Sequence, residues 1–350
     1  MPSPLTDLGV TIPMIAAPMA GGGTTTAMVL AAAHAGGMGF LAGGYKSPEL
    51  LDREIQTVRA ASIPFGVNLF APNKVSITPA AYHEYAANVQ RVADRFGLTL
   101  PVDPVDDDDA FGAKVDLLRA HPVPVVSFTF GVPETDVIRA LRNAGTIVVQ
   151  TVTSAEEAEL AADAGVDMFA VQASVAGGHS GTLTPDRLPA PVPLADLVAE
   201  VTHRTTRPLI AAGGVATPGD VAAVLAAGAQ AVAVGTVLLR ADESGASATH
   251  RAALADPHRT ETVVTRAFTG RPARGLRNSF IDQFEPLAPL GYPAIHHLTS
   301  PLRKAAAAVG EADLVHLWAG TGYRSAREAP TAEILRELAG EDVPRKTTAK

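Results

Sequence analysis

Short runs of Val, Ile, Phe, Leu and Ala, with few polar interruptions, alternate along the chain with Ala-rich stretches of helical spacing. Near-continuous apolar runs suit strands covered on both faces, as in a parallel sheet flanked by helices. Eight such runs predict strands at Met14–Ala20, Gly37–Gly44, Phe65–Phe70, Val123–Gly131, Thr146–Val152, Met168–Ser174, Pro208–Val215 and Ala231–Leu239. The intervening helices carry punctuation of their own. Ser154 with Glu157 has the S-x-x-E spacing of a capping box, and Gly165 stands where that helix should stop. Thr217 before Pro218 offers an N-cap and a first-turn proline, and the next helix should stop at Gly228.

Strand and helix alternating through eight repeats predict an α/β fold, a (β/α)8 TIM barrel. A doubly wound open sheet is the alternative. It would open on a G-x-G-x-x-G turn feeding a long helix, and the glycines of "MAGGGTTT" lack that spacing. The rhythm gives residues 1–240 to the barrel, with an insertion at 71–122 between the third and fourth strands. Residues 241–340 form a C-terminal helical extension, expected to pack over or beside the barrel mouth, and 341–350 form a frayed tail. The insertion holds an acidic run, "DPVDDDDA" (Asp103–Ala110), read as a solvated loop and not a metal site, since blocks of like charge are usually exposed.

Composition narrows the classes. The 350 residues are 47% apolar and 18% charged, the balance of an enzyme-sized globule and not of a disordered chain. A formal net charge of −8 speaks against nucleic-acid binding, which needs a basic face. An anionic ligand would have to be met by local donors. The absence of cysteine excludes disulfides, thiolate nucleophiles, iron–sulfur ligation and Cys-containing zinc sites. No signal peptide and no run of about 18 uninterrupted apolar residues is present, so a cytoplasmic protein without a membrane partner is expected. No metal site is expected, and the oligomeric state stays open between monomer and homodimer.

In such a barrel the active site forms where strands end and the following loops begin. There the chain places Ala17, Pro18 and Met19 at the first strand, Asn68 at the third, Ser127 and Thr129 at the fourth, Gln150 at the fifth and Gln172 at the sixth. Gly213 and Gly214 close the seventh, and Ala233, Val234, Gly235 and Thr236 lie along the eighth. Glycine turns after the last two strands expose backbone N–H groups toward a common point, where a helix N-terminus adds positive potential. That is a phosphate site without Lys or Arg; the blander reading is two tight turns. The amides of Asn68 and Gln172 pair a donor with an acceptor, which suits the edge of a flat heterocycle, or else they satisfy core backbone. Together these features suggest a mononucleotide across the barrel mouth, and a flavin fits. His179 lies in "AGGHSG", beside Gly177 and Gly178. With an ordinary pKa near 6.5 it suits proton abstraction or anion binding.

The segments "AAPMAGG", "VNLF", "AGGHSG", "IAAGGVATPGDVAAVLAAGAQAVAVGT" and "FTGRPARGLRNSF" together resemble the nitronate monooxygenases, formerly called 2-nitropropane dioxygenases. The closing "YPAIHHLTSPLRKAAA" and "LWAGTGY" resemble the class I branch, and the likeness spans roughly residues 8–325. It implies a barrel with FMN at its mouth that oxidises nitronates, propionate 3-nitronate among them, with O2 to a carbonyl compound and nitrite. Carried over by position, Asn68, Gln172, Gly177, Gly214 and Ala233–Thr236 would hold FMN, and Met19 would face its ring through the backbone. His179 matches the family's active-site histidine, a base in some members and an anion anchor in others, and Tyr292 would line the substrate pocket. In class I a histidine often stands where this chain has Thr129. A hydroxyl cannot take up a proton near neutral pH as an imidazole can, so substrate preference is open at that position. Arg274 and Asn278 read as structural anchors.

Two other functions fit much of this pattern. An FMN-dependent NAD(P)H oxidoreductase of the enoyl-ACP reductase type shares the barrel and the GGH loop, and a non-catalytic flavin-binding barrel would share the cofactor residues. An inosine-monophosphate dehydrogenase shares the glycines but needs a cysteine the chain lacks.

Overall fold

The computed structural model describes residues 4–341, so the predicted tail beyond Glu341 lies outside the described residues. Eleven strands are formed among the described residues: β1 (Met14–Ala16), β2 (Met38–Ala42), β3 (Phe65–Ala71), β4 (Val125–Phe130), β5 (Ile147–Val152), β6 (Met168–Gln172), β7 (Gly178–His179), β8 (Leu209–Ala212), β9 (Ala231–Val234), β10 (Thr262–Thr265) and β11 (Ala273–Leu276). Eight of them close a parallel barrel in the order β1-β2-β3-β4-β5-β6-β8-β9, with β9 returning to β1. The fold is a (β/α)8 TIM barrel.

Alternation along the strands separates two cores. Ile15, Phe40, Val125, Val149, Met168 and Ile210 pack together in one cluster. Their neighbours Met14, Leu41, Val67, Val126, Val148 and Phe169 pack in a second with the surrounding helices. Three expectations are corrected in detail. The first and eighth barrel strands stop at Ala16 and Val234, short of the predicted Ala20 and Leu239. The chain turns at Gly21 and Gly22, with φ of 87° and 114°, and at Gly235 it bends into the short Thr236–Leu238 turn. Ser154 does cap its helix, accepting from the Glu157 amide, but the Glu157 carboxylate does not reciprocate. One oxygen accepts from the Thr153 amide and hydroxyl at 2.6 and 2.8 Å, and the other from Thr182 Oγ1 and the Leu183 amide, both at 2.7 Å. Glu157 thus ties the stretch after His179 to the barrel. At the next helix, Thr217 and Asp220 form the complete capping box.

The insertion and the extension share one core. Tyr82, Tyr85 and Val89 of the Pro79–Ala93 helix pack with Phe268, Phe280, Phe284, Leu298 and Leu302. The closing Thr331–Leu338 helix instead returns to the barrel, where Ile334, Leu335 and Leu338 join the outer core. The acidic run is more than a solvated loop. Asp106 pairs with Lys74, Asp107 with His297 at 2.5 Å, and Asp109 with the buried Lys114 at 2.8 Å while accepting the Tyr45 amide at 2.9 Å. The run therefore pins the insertion to the β2 loop and the extension. Among the described residues no helix is long and apolar enough to cross a membrane.

Candidate active site

At the C-terminal ends of the barrel strands lies a cavity of about 620 Å³, which reaches inward to Ile15, Phe40 and Val149. Ala17, Pro18, Met19, Asn68, Thr129, Gln172, Gly177, Gly178, His179, Gly213, Gly214, Ala233, Val234, Gly235 and Thr236 all stand on its wall. Ser127 is there too. Gln150 is not: it is fully buried and donates to the carbonyls of Gly131 and Thr151 at 3.1 Å.

The two amides differ in what they have left to offer. Asn68 Nδ2 donates to Ser127 Oγ at 2.9 Å and Thr129 Oγ1 at 3.0 Å, so its Oδ1 is the group remaining for a ligand. Gln172 uses both ends on the loop beyond it, donating to the His179 carbonyl at 3.2 Å and accepting from the Gly181 amide at 2.7 Å. Its visible task is to position the histidine. Met19 is engaged likewise: its amide donates to Thr24 Oγ1 at 2.8 Å and its carbonyl accepts from the Thr24 amide at 3.2 Å.

The glycines divide in the same way. A Cβ on Gly177 would fall 2.4 Å from the Gly320 amide nitrogen, and one on Gly214 2.9 Å from Val175 Cγ2, so both admit close packing of neighbouring chain. Gly235 is roomier, with Met19 Sδ at 3.4 Å the nearest atom. The helix after β8 is not open to an anion, because Asp220 Oδ2 already accepts from the amides of Ala216 and Thr217 at 3.0 and 2.9 Å. The amides left open to an anion are those of the glycine turns and of the Thr236–Leu238 turn, whose first amides have no partner within the turn.

His179 lies in a short strand. As half of β7 it pairs with Ala273 of β11, and Nε2 lies 2.9 Å from Thr269 Oγ1. Phe130, Tyr292 and Trp318 surround the ring edge-on at 5.5–5.7 Å between centroids. Desolvation first, then the charges of Arg271 and Arg303, push its pKa down to about 3, so the imidazole is neutral. Tyr292 stands one layer behind the wall, its ring against His179 and its hydroxyl 3.4 Å from that of Tyr45.

Several residues on the wall were given no role from the sequence, though some lie in the segments that resemble the class I branch. Tyr45 arrives from the loop after β2, and His250, His296, Ser300, Arg303, His316 and Trp318 from the extension. Tyr45 stacks on His296 at 4.2 Å. Arg303 and Arg271 are both buried guanidinium groups whose hydrogen bonds all go to neutral acceptors. Arg303 reaches Thr299 Oγ1 at 3.0 Å and the His296 carbonyl at 2.9 Å. Arg271 reaches the Ser180 and Thr182 carbonyls and lies 4.1 Å over the Phe130 ring. Burial pulls both down to about 10, still cationic at neutral pH. The cavity therefore joins glycine-turn amides at one set of loops to a cationic, histidine-rich wall at another.

A family model described as nitronate monooxygenase matches residues 2–341. A probable nitronate monooxygenase of Staphylococcus aureus (strain MRSA252) is 36% identical over 336 residues, covering 95% of this chain and 94% of that protein. The chain belongs to the nitronate monooxygenase family. Among solved structures it is similar to a nitroalkane oxidase from Streptomyces ansochromogenes, at a TM-score of 0.93 and 46% identity over 97% of both chains. FabK from Thermotoga maritima is similar at a TM-score of 0.74 and 26% identity, over 97% of this chain and 96% of that one. As a member of the nitronate monooxygenase family, the protein is an oxidoreductase. Its hydroxyl at Thr129 belongs to a small network, accepting from Asn68 and lying 3.3 Å from Thr151 Oγ1. Imidazoles are nevertheless plentiful in this cavity, since three from the extension join His179.

Proposed function

We propose that the protein oxidises small alkyl nitronates with O2, releasing a carbonyl compound and nitrite, and that it does so with FMN held in the barrel cavity. The observation that carries this reading is the uncompensated positive charge of Arg303 on the wall that holds the neutral His179. Burying a cation without an anionic partner is unfavourable, and an anion entering the cavity relieves that cost. A nitronate carries one negative charge over two coplanar oxygens, which suits a guanidinium and an imidazole N–H.

The cavity suits FMN. Its volume lies within the range of about 300–1,000 Å³ usual for small-molecule sites. The glycine-turn amides would take the phosphate and Asn68 Oδ1 a ring N–H, with Gln172 acting through the loop it braces. Bound flavin supplies the electron acceptor and the reaction with oxygen, chemistry no side chain here can provide. The chain's own groups do the rest. Arg303 draws in the anion, and the Phe130, Tyr292 and Trp318 rings around His179 exclude water. Thr269 fixes the imidazole. Held neutral, His179 can donate a hydrogen bond to a nitronate oxygen from one nitrogen, or accept a proton at the nitrogen whose lone pair is free.

The test is direct. Purified protein should be yellow and release FMN on denaturation. It should consume O2 and form nitrite when given propyl 2-nitronate, with no requirement for NADH. Protein that takes up no FMN removes the proposal, and flavin bleached by NADH but indifferent to nitronate replaces it with the reductase reading.

A further inference from the structure

Arg303 differs from every other arginine near the cavity. Arg271 is enclosed, with Nη1 shut away from both solvent and partners, and its side chain holds the Ser180–Thr182 stretch and covers Phe130. Glu157 also lies within electrostatic reach of it. Arg303 is 5% exposed and lines the cavity. Its Nε and Nη2 are fixed by Thr299 and His296, one and two turns back on the same Ala294–Ala308 helix, so the guanidinium plane is set before any ligand arrives. Nη1 donates to no described residue. The groups that bear on its charge are the phenols of Tyr45 and Tyr292, and desolvation of the hydroxyls raises both above the ordinary tyrosine range. A buried, pre-oriented cation with one free edge on a cavity and, among the described residues, no acid opposite it lacks one component, and that component is an anion.

We infer that Arg303 is the subsite for a planar oxyanion of the substrate, a nitronate or a carboxylate group, which it receives at Nη1. The inference rests on the proposed nitronate chemistry for the identity of the substrate, but not for the existence of the subsite. Arg303 then determines specificity: it selects anions over their neutral conjugate acids, and its fixed plane orients the bound group beside His179.

Nitrate, a planar oxyanion that is not turned over, is the probe. Titrated into the flavin-loaded enzyme and followed by calorimetry, it should bind saturably. Arg303→Gln should loosen it roughly tenfold to a hundredfold, the loss expected when a charged hydrogen bond is removed. Arg303→Lys should recover part of the loss, because charge returns without the fork. The KM for nitronates should rise in step, with a smaller change in kcat, whereas a merely structural role would lower stability and kcat and leave nitrate affinity alone. A rise seen with propyl 2-nitronate and a carboxylated nitronate alike assigns the subsite to the nitronate oxygens; a rise confined to the carboxylated one assigns it to the carboxylate. If Arg303→Gln does not fold, the lysine variant and the unaltered enzyme still decide. Nitrate that does not bind the unaltered enzyme, or binds the variants equally well, overturns the inference. Arg303-dependent nitrate binding in an enzyme that ignores nitronates would remove the proposed function and leave the subsite; nitronate turnover with nitrate binding indifferent to Arg303 would do the reverse.

Discussion

At the scale of single residues, the cavity is a collection of imidazoles that the fold keeps uncharged. His179 is pushed down to about 3 and His250 to about 4, and His296 and His316 are lowered well below the ordinary range, each by desolvation first. The sign follows from which state takes the proton. Below about pH 6.5 the unfolded chain protonates these rings and the folded chain does not, so stability falls as pH drops toward the folded values. Above pH 6.5 they contribute no pH dependence. Each fully suppressed histidine contributes a slope of up to about 1.4 kcal/mol per pH unit. The flavin-free protein should therefore lose melting temperature between pH 6.5 and 5 more steeply than His316→Gln does. Equal slopes in parent and variant would show that the ring is protonated in the fold. For turnover, His179→Asn should retain fold and flavin while nitrite release falls about a hundredfold or more, the usual scale for a positioned acid–base group. Near-normal rates would take His179 out of the reaction. The sequence pointed to this histidine because glycines flank it at a strand's end, a local signal. Arg303 stood only inside the segment that resembles the class I branch, with no role of its own. In "PLRKAAAAVG" a buried arginine and an exposed lysine stand side by side on a helix, and only tertiary packing tells them apart.

At the scale of elements, the barrel strands were legible and the three-stranded sheet beside them was not. Apolar runs such as "VPVVSFTF" announce a strand covered on both faces. Gly178–His179 has no periodicity to read, and Thr262–Thr265 and Ala273–Leu276 are four residues each, so their pairing is a tertiary fact. That sheet converts a glycine loop into a fixed mount for His179, and Glu157 and Gln172 brace it from the barrel side. Replacing Glu157 by Gln turns a carboxylate that accepts four hydrogen bonds into a group with one acceptor oxygen, leaving buried donors unmet. The cost should be roughly 2–4 kcal/mol, seen as a fall in Tm of several degrees and in kcat through the displaced loop; an unchanged Tm would mean the loop has another anchor. The glycine turns allow a cleaner separation of packing from binding. Gly235 has an ordinary φ of −119° and room for a Cβ, so Gly235→Ala should fold normally. If the phosphate of FMN sits against that turn, the added methyl should weaken FMN binding by tenfold or more, on the order of 1.4 kcal/mol. FMN affinity equal to the parent's would move the phosphate elsewhere.

At the scale of the molecule, two stretches far apart in sequence, the insertion and the extension, share one core, and the acidic run adds a contact between them through Asp107 and His297. Asp109 ties the insertion to the loop after β2. Its carboxylate accepts the Tyr45 amide and pairs with Lys114, which is 1% exposed, while Tyr45 stacks on His296 beside Arg303. A charge-block reading could not find this, because "DDDD" looks equally solvated at every position. What distinguishes Asp109 is a lysine five residues on that folds under it. Breaking one side of a buried ion pair is far more harmful than removing both, since the survivor is left charged without a partner. Asp109→Asn should therefore destabilise the protein by about 3–5 kcal/mol and release Tyr45, so that KM for nitronates rises as the aromatic wall loosens. Asp109→Asn combined with Lys114→Met should recover most of the stability, because no unpaired charge remains, but only part of the KM, because the Tyr45 amide still faces a weaker acceptor. Thermal melts and initial rates on the two single variants and the double variant measure both quantities in one cycle. Additive losses in stability would mean that the pair is not coupled in the fold. Full recovery of KM in the double variant would mean that Asp109 acts on the site only through Lys114, and that the bond to Tyr45 carries nothing.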